Sequence, residues 1–172
     1  ASAIVQAGKL ELQSQQLSKE KMIQLLEKIP SGNIERGKAI YAKRELVCFT
    51  CHAINGSGGV LGPDLSSIGA SAPLDYLIES LLNPSKKIKE GYRMAVITNK
   101  EGDVFAGSVS SEDQNVVVIR NSVGTISRVP KQLIAKRETS PVSMMPSGLT
   151  ASLREDEFID LMFYLSSLGK TK

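Results

Sequence analysis

Cys48-Phe49-Thr50-Cys51-His52 decides how this chain is read. The 172 residues include two cysteines and one histidine, and all three fall inside these five positions. C-x-x-C-H is the attachment signature of a c-type haem. One turn of chain places both sulfurs under the two porphyrin vinyl groups, and the next residue presents an imidazole to the iron. Three other chemistries are weighed against it. A thioredoxin-like redox pair wants a βαβ unit around the cysteines, and none is apparent upstream. A zinc site wants a further strong ligand, and no other Cys or His exists to supply it. A disulfide across two intervening residues closes a very small loop and leaves His52 without a role. One motif predicts one haem c, bound covalently through Cys48 and Cys51, with His52 a ligand to its iron.

The rest of the composition bounds the frame. At 18.5 kDa the chain suits one compact domain, with room for an appendage. Hydrophobic residues are 41% and charged residues 23%, a globular and not a disordered balance. A net charge of +3 gives no nucleic-acid footprint. No apolar run approaches the roughly 18 residues that a membrane span needs.

Helical signals flank the motif. Asn33 is a candidate cap for a helix through Ile34, Gly37, Ile40, Tyr41 and Leu46, with Gly37 and Tyr41 one turn apart on one face. Near the other end, Ser152-Leu153-Arg154-Glu155 reads as a capping box. Behind it, Phe158, Leu161, Met162, Leu165 and Leu168 follow helical spacing, and Gly169 suits the stop. A third helix is predicted from Ser71 or Ala72 to Asn83, with Pro73 near its start and Pro84 ending it.

In order along the chain stand Gly37 and Tyr41, the C-x-x-C-H motif, Gly62-Pro63-x-Leu65, Met145-Pro146 and Leu161-x-x-Tyr164-Leu165. This order resembles class I cytochrome c, a helical fold whose first and last helices cross beside the haem. The resemblance implies that the Pro63 carbonyl holds the imidazole of His52 and fixes which nitrogen meets iron. It also implies that Met145, the methionine directly before proline, is the sixth ligand. From the residues alone, Met162 reads as core, Met22 and Met94 belong to other elements, and Met144 and Met145 share a proline-bounded loop, 140–148. A thioether opposite imidazole favours ferrous iron and raises the reduction potential.

About 50 residues separate the third helix from the methionine loop, more than a simple class I cytochrome has. They read as β: Tyr92–Thr98, Val104–Val109, Val116–Arg120 and Thr125–Val129, with polar turns between. A helical turn at Lys131–Ile134 and a segment from Ala135 to Glu138 follow. The expected fold class is therefore mainly α, a class I cytochrome helical fold carrying an inserted antiparallel β meander or small barrel over about 91–139. The expected organisation is an N-terminal helix or linker at 1–30 and a monohaem domain at 31–172. Over roughly 33–168 the chain also resembles the C-terminal haem-binding domain of large exported planctomycete and verrucomicrobial proteins. A lid over the haem is the preferred role for the insert.

The N-terminal stretch Ala3–Ile29 looks helical, with an irregular apolar stripe. It is a candidate to pack back on the core, to link to an upstream domain or to dimerise. Lys86, Lys87 and Lys89 beside Tyr92 form a basic cluster, read as a solvated turn with steering of an acidic redox partner as the alternative. The resemblance implies electron transfer without catalysis, redox partners such as an upstream dehydrogenase or another cytochrome, and a periplasmic or otherwise exported location. The competing function is a haem-based gas sensor or small-ligand binder with an open or displaceable sixth site. No signal peptide is visible at Ala1-Ser2.

Overall fold

The computed structural model describes residues 17–121 and 123–170. The N-terminal reading at residues 3–16 lies outside them. The elements in chain order are helices α1 (Lys19–Lys28), α2 (Ile34–Tyr41) and the short α3 (Cys48–Cys51). A two-strand hairpin follows, β1 (Ala53–Ile54) and β2 (Ser57–Gly58). Next come α4 (Ile68–Ser71), α5 (Leu74–Leu82), strands β3 (Met94–Asn99), β4 (Val104–Glu112), β5 (Val116–Arg120), β6 (Ile126–Pro130) and β7 (Ile134–Thr139), and α6 (Glu155–Ser167).

The helical half is organised by one crossing. Asn33 caps α2, its Oδ1 accepting the Arg36 N–H at 2.9 Å. Gly37 then faces α6 so closely that an added Cβ would stand 2.1 Å from the Asp160 carbonyl oxygen and 2.6 Å from Tyr164 Cβ. A side chain of any size would force the helices apart. Asp160 is itself buried on α6 and accepts the Asn33 N–H at 2.7 Å and Arg36 Nε at 2.7 Å, so it holds the start of the facing helix. Around the crossing, Ile40, Tyr41, Leu46, Leu77, Ile78, Leu81, Phe158, Leu161 and Leu165 form one hydrophobic core. The α1 residue Leu25 and the following Ile29 belong to the same core, so the described part of the N-terminal stretch packs back onto it.

Several boundaries move from their sequence-based positions. α2 ends at Tyr41, and Leu46 reaches the core through a separate 3₁₀ turn, Arg44–Leu46. The third helix starts at Leu74 because Pro73 serves as its N-cap, and Ile68–Ser71 is a separate turn of helix. The box at α6 sits two residues later than its sequence pattern, with the Arg154 N–H donating to Glu157 Oε2 at 3.0 Å. Gly169 follows α6 with φ +76°.

The expected antiparallel insert is present, but it is larger than a mainly α description allows: five strands in the order β6-β5-β4-β3-β7 form a second body with its own core. Alternation along β3 and β5 buries Ala95, Ile97, Val117 and Ile119, which with Val129 make that core. The last strand pairs with the first, Ala95 opposite Thr139. Only the 3₁₀ turn Lys131–Leu133 joins the two edge strands β6 and β7. Four strand spacings in a flat sheet span about 19 Å, beyond the roughly 14 Å that those few residues can reach. The sheet therefore curls toward a partial barrel.

Candidate functional site

The C-x-x-C-H turn is built by its neighbours. Val47, with φ +49°, reverses the chain into α3, an uncommon conformation for a β-branched residue. The His52 N–H then donates to the Cys48 carbonyl at 2.8 Å and closes the turn. Asn55-Gly56, both at positive φ, make the two-residue turn of the β1–β2 hairpin, which folds the following segment back over the motif. There the Gly59 N–H donates to the Phe49 carbonyl at 3.0 Å and the Gly62 N–H to the Cys51 carbonyl at 2.7 Å. This hairpin is absent from the sequence reading, although the Asn-Gly pair announces it.

Folding back brings Gly62-Pro63 against the imidazole. His52 Nδ1 lies 2.7 Å from the Pro63 carbonyl oxygen, an acceptor only, so Nδ1 carries the hydrogen and Nε2 carries the lone pair. A Cβ on Gly62 would stand 2.4 Å from His52 Cε1, so that residue must be bare for the ring to lie where it does. From the helical core, the Tyr41 hydroxyl donates to the His52 carbonyl at 2.9 Å. Burial lowers the imidazole's pKa, opposed by the hydrogen bond to Pro63, and so favours the neutral ligand form. Burial also pushes the Cys48 thiol up to about 11 and raises Cys51. Both thiols are free.

The motif and Pro63 line one largely apolar crevice of about 200 Å³. Cys48, Cys51, His52 and Pro63 line it together with aliphatic residues from α5 and α6. The loop before α6 supplies Met144 and Met145. Met145 also packs against the helical core. The loop is fastened to the segment after α5, the Ser143 N–H donating to Ser85 Oγ at 3.0 Å. Met162 is fully buried in the core, Met22 packs against it from α1, and Met94 begins β3.

Among the described residues, Tyr92, just before β3, is the member of the 91–139 insert that lines the crevice, and no residue of β3–β7 lines it. The sheet instead touches the loop beside the motif, where Arg120 Nη1 donates to the Val60 carbonyl at 2.7 Å.

Two thiols, an imidazole whose Nδ1 is taken by a backbone carbonyl, and two thioethers lining one largely apolar crevice suit a covalently held haem. Comparison with known proteins agrees. The cytochrome c family profile matches residues 34–116. The chain is 32% identical over 95 residues to cytochrome c 2.1 of Caenorhabditis briggsae, covering 44% of this chain and 81% of that protein. To cytochrome c 2.1 of Caenorhabditis elegans it is 30% identical over 95 residues, covering 44% and 82%. The chain belongs to the cytochrome c family. With the family come covalently attached haem c and haem-based electron transfer between redox proteins. The profile match ends at Val116, inside the sheet, so the methionine loop and α6 lie beyond it.

Proposed function

We propose that the chain is a single-haem electron carrier in which Cys48 and Cys51 form the thioethers, His52 and Met145 are the axial ligands, and Pro63 orients the imidazole. The observation that carries this reading is the 2.7 Å contact between His52 Nδ1 and the Pro63 oxygen. It commits one ring nitrogen to the backbone and leaves the other for iron. Haem c supplies an iron that gains and loses one electron. The chain's own part is to hold two unlike ligands on rigid supports through both oxidation states. The imidazole is fixed by Gly62, Pro63 and Tyr41, and the Met145 loop by Ser85 and the core. Leu77, Leu81, Leu161 and Leu165 exclude water, and a dry setting favours the less charged ferrous state.

All of these residues fall within 31–172. The inserted sheet extends the likeness to the haem-binding C-terminal domains of large exported planctomycete and verrucomicrobial proteins. On that likeness the location is periplasmic or otherwise exported, and the partners are an upstream dehydrogenase or another cytochrome. No described helix is long and apolar enough to cross a membrane.

The test is spectroscopic. The oxidised holoprotein should show the long-wavelength band of thioether–iron ligation. Met145→Leu should abolish that band, and Met144→Leu should keep it. Carbon monoxide binding by the reduced wild-type protein would instead favour an open sixth site and a sensor or ligand-binding role.

A further inference from the structure

We infer that Lys87 and Lys89 form a cationic clasp for the two propionate carboxylates of the haem. The inference rests on the covalent-haem reading above and adds what fixes the porphyrin's far edge. The thioethers bind the porphyrin by its former vinyl groups, and both propionates leave from the opposite edge. Pinning the vinyl edge to Cys48 and Cys51 therefore sends two negative charges toward whatever wall faces that turn.

Among the described residues, α5, the segment after it and the methionine loop carry all the polar side chains that line the crevice apart from the motif and Tyr41. Among the described residues that line the crevice, Lys87 and Lys89 are the lysines, and no arginine or carboxylate lines it with them. Tyr76, Ser80, Tyr92 and Ser143 line it with them. Lys87 Nζ lies 5.8 Å from the Tyr76 ring centroid and 3.8 Å from Glu79 Oε2, which places it over α5 at the rim. Lys86, from the same basic run, does not line the crevice and pairs with Glu79. That pairing offsets the one carboxylate beside Lys87. Lys87 and Lys89 are thus the members of the run that line the cavity, while Lys86 is held by the same acid that stands near Lys87. Two cations at the rim match two carboxylates in number and sign.

The test uses the full-length holoprotein and two readouts. A pyridine haemochrome spectrum counts covalent haem, and a redox titration gives the potential. Lys87→Gln, Lys89→Gln and the double variant should retain one covalent haem. Each should lower the potential, because removing a positive charge beside the haem favours ferric iron, and the double variant should shift the ferrous–ferric equilibrium several-fold. Lys87→Arg and Lys89→Arg should restore the wild-type value, which a purely structural role would not require. A double variant with intact haem and an unchanged potential overturns the clasp, leaving these lysines to solvent or to partner steering. A wild-type protein without a haemochrome overturns the haem reading and the clasp together.

Discussion

Gly37 on α2 and Asp160 on α6 meet backbone to backbone, with room for hydrogen but not for a methyl group. The first and last helices of the cytochrome half are thereby locked at a fixed separation. Asp160 adds a second tie at the same point through Asn33 and Arg36.

Gly37→Ala should therefore overpack the crossing. We expect a loss of about 1–3 kcal/mol, read from chemical denaturation of the holoprotein. An unchanged midpoint would mean that the helices separate freely.

Asp160→Ala should act through the other tie. It leaves the Asn33 N–H and the Arg36 guanidinium without their buried acceptor. A cost of about 1–3 kcal/mol follows from the unsatisfied donor, and Asp160→Asn should recover part of it. Thermal melts of the three proteins check the order.

Gly62→Ala should disturb the ligand without touching the thioethers. Its methyl group would meet the His52 ring at Cε1 and Nδ1, so the ring must tilt and lengthen its bond to Pro63. Covalent haem should remain at one per chain while the potential and the ferric electron paramagnetic resonance signal change. Identical spectra would show that the imidazole is not backed by this residue.

The sheet should carry its own acid sensitivity. Glu112 bonds Arg137 at 3.0 Å and Lys131 at 2.8 Å, and these partners hold its pKa at about 2, below its ordinary 4.5. A carboxylate depressed in the fold stabilises it fully above the unfolded value and loses that contribution as pH falls from about 4.5 through 2. The group is exposed, so the effect is small and weakened by salt. Glu112→Gln should flatten this part of the stability–pH curve, and the two proteins should converge near pH 2.

Arg120→Gln should free the sheet from the loop beside the motif by removing the bond to the Val60 carbonyl. Global stability should change by less than about 1 kcal/mol, while hydrogen exchange at residues 58–62 accelerates.

What was legible in the sequence was whatever is written in rare residues or local chemistry. Cys48, Cys51 and His52 announce themselves by scarcity, and the turns between β3, β4, β5 and β6 by their Asn, Asp and Gly. Long-range facts were less visible. Nothing local to Pro73 shows that it caps α5 instead of entering it. The pairing of β7 with β3 depends on curl, which no single strand carries. Asp160 looks like an ordinary charged position on an amphipathic helix, and its burial comes from the helix that crosses it.

The strands that open and close the sheet lie side by side, with the Ser140 N–H donating to the Met94 carbonyl at 2.8 Å. The excursion thus leaves the cytochrome body and re-enters it through a single doorway. Whatever is hung there can be lengthened, trimmed or exchanged for a foreign module while the residues on either side of the threshold keep their spacing. This protein is built to accept a graft at that place.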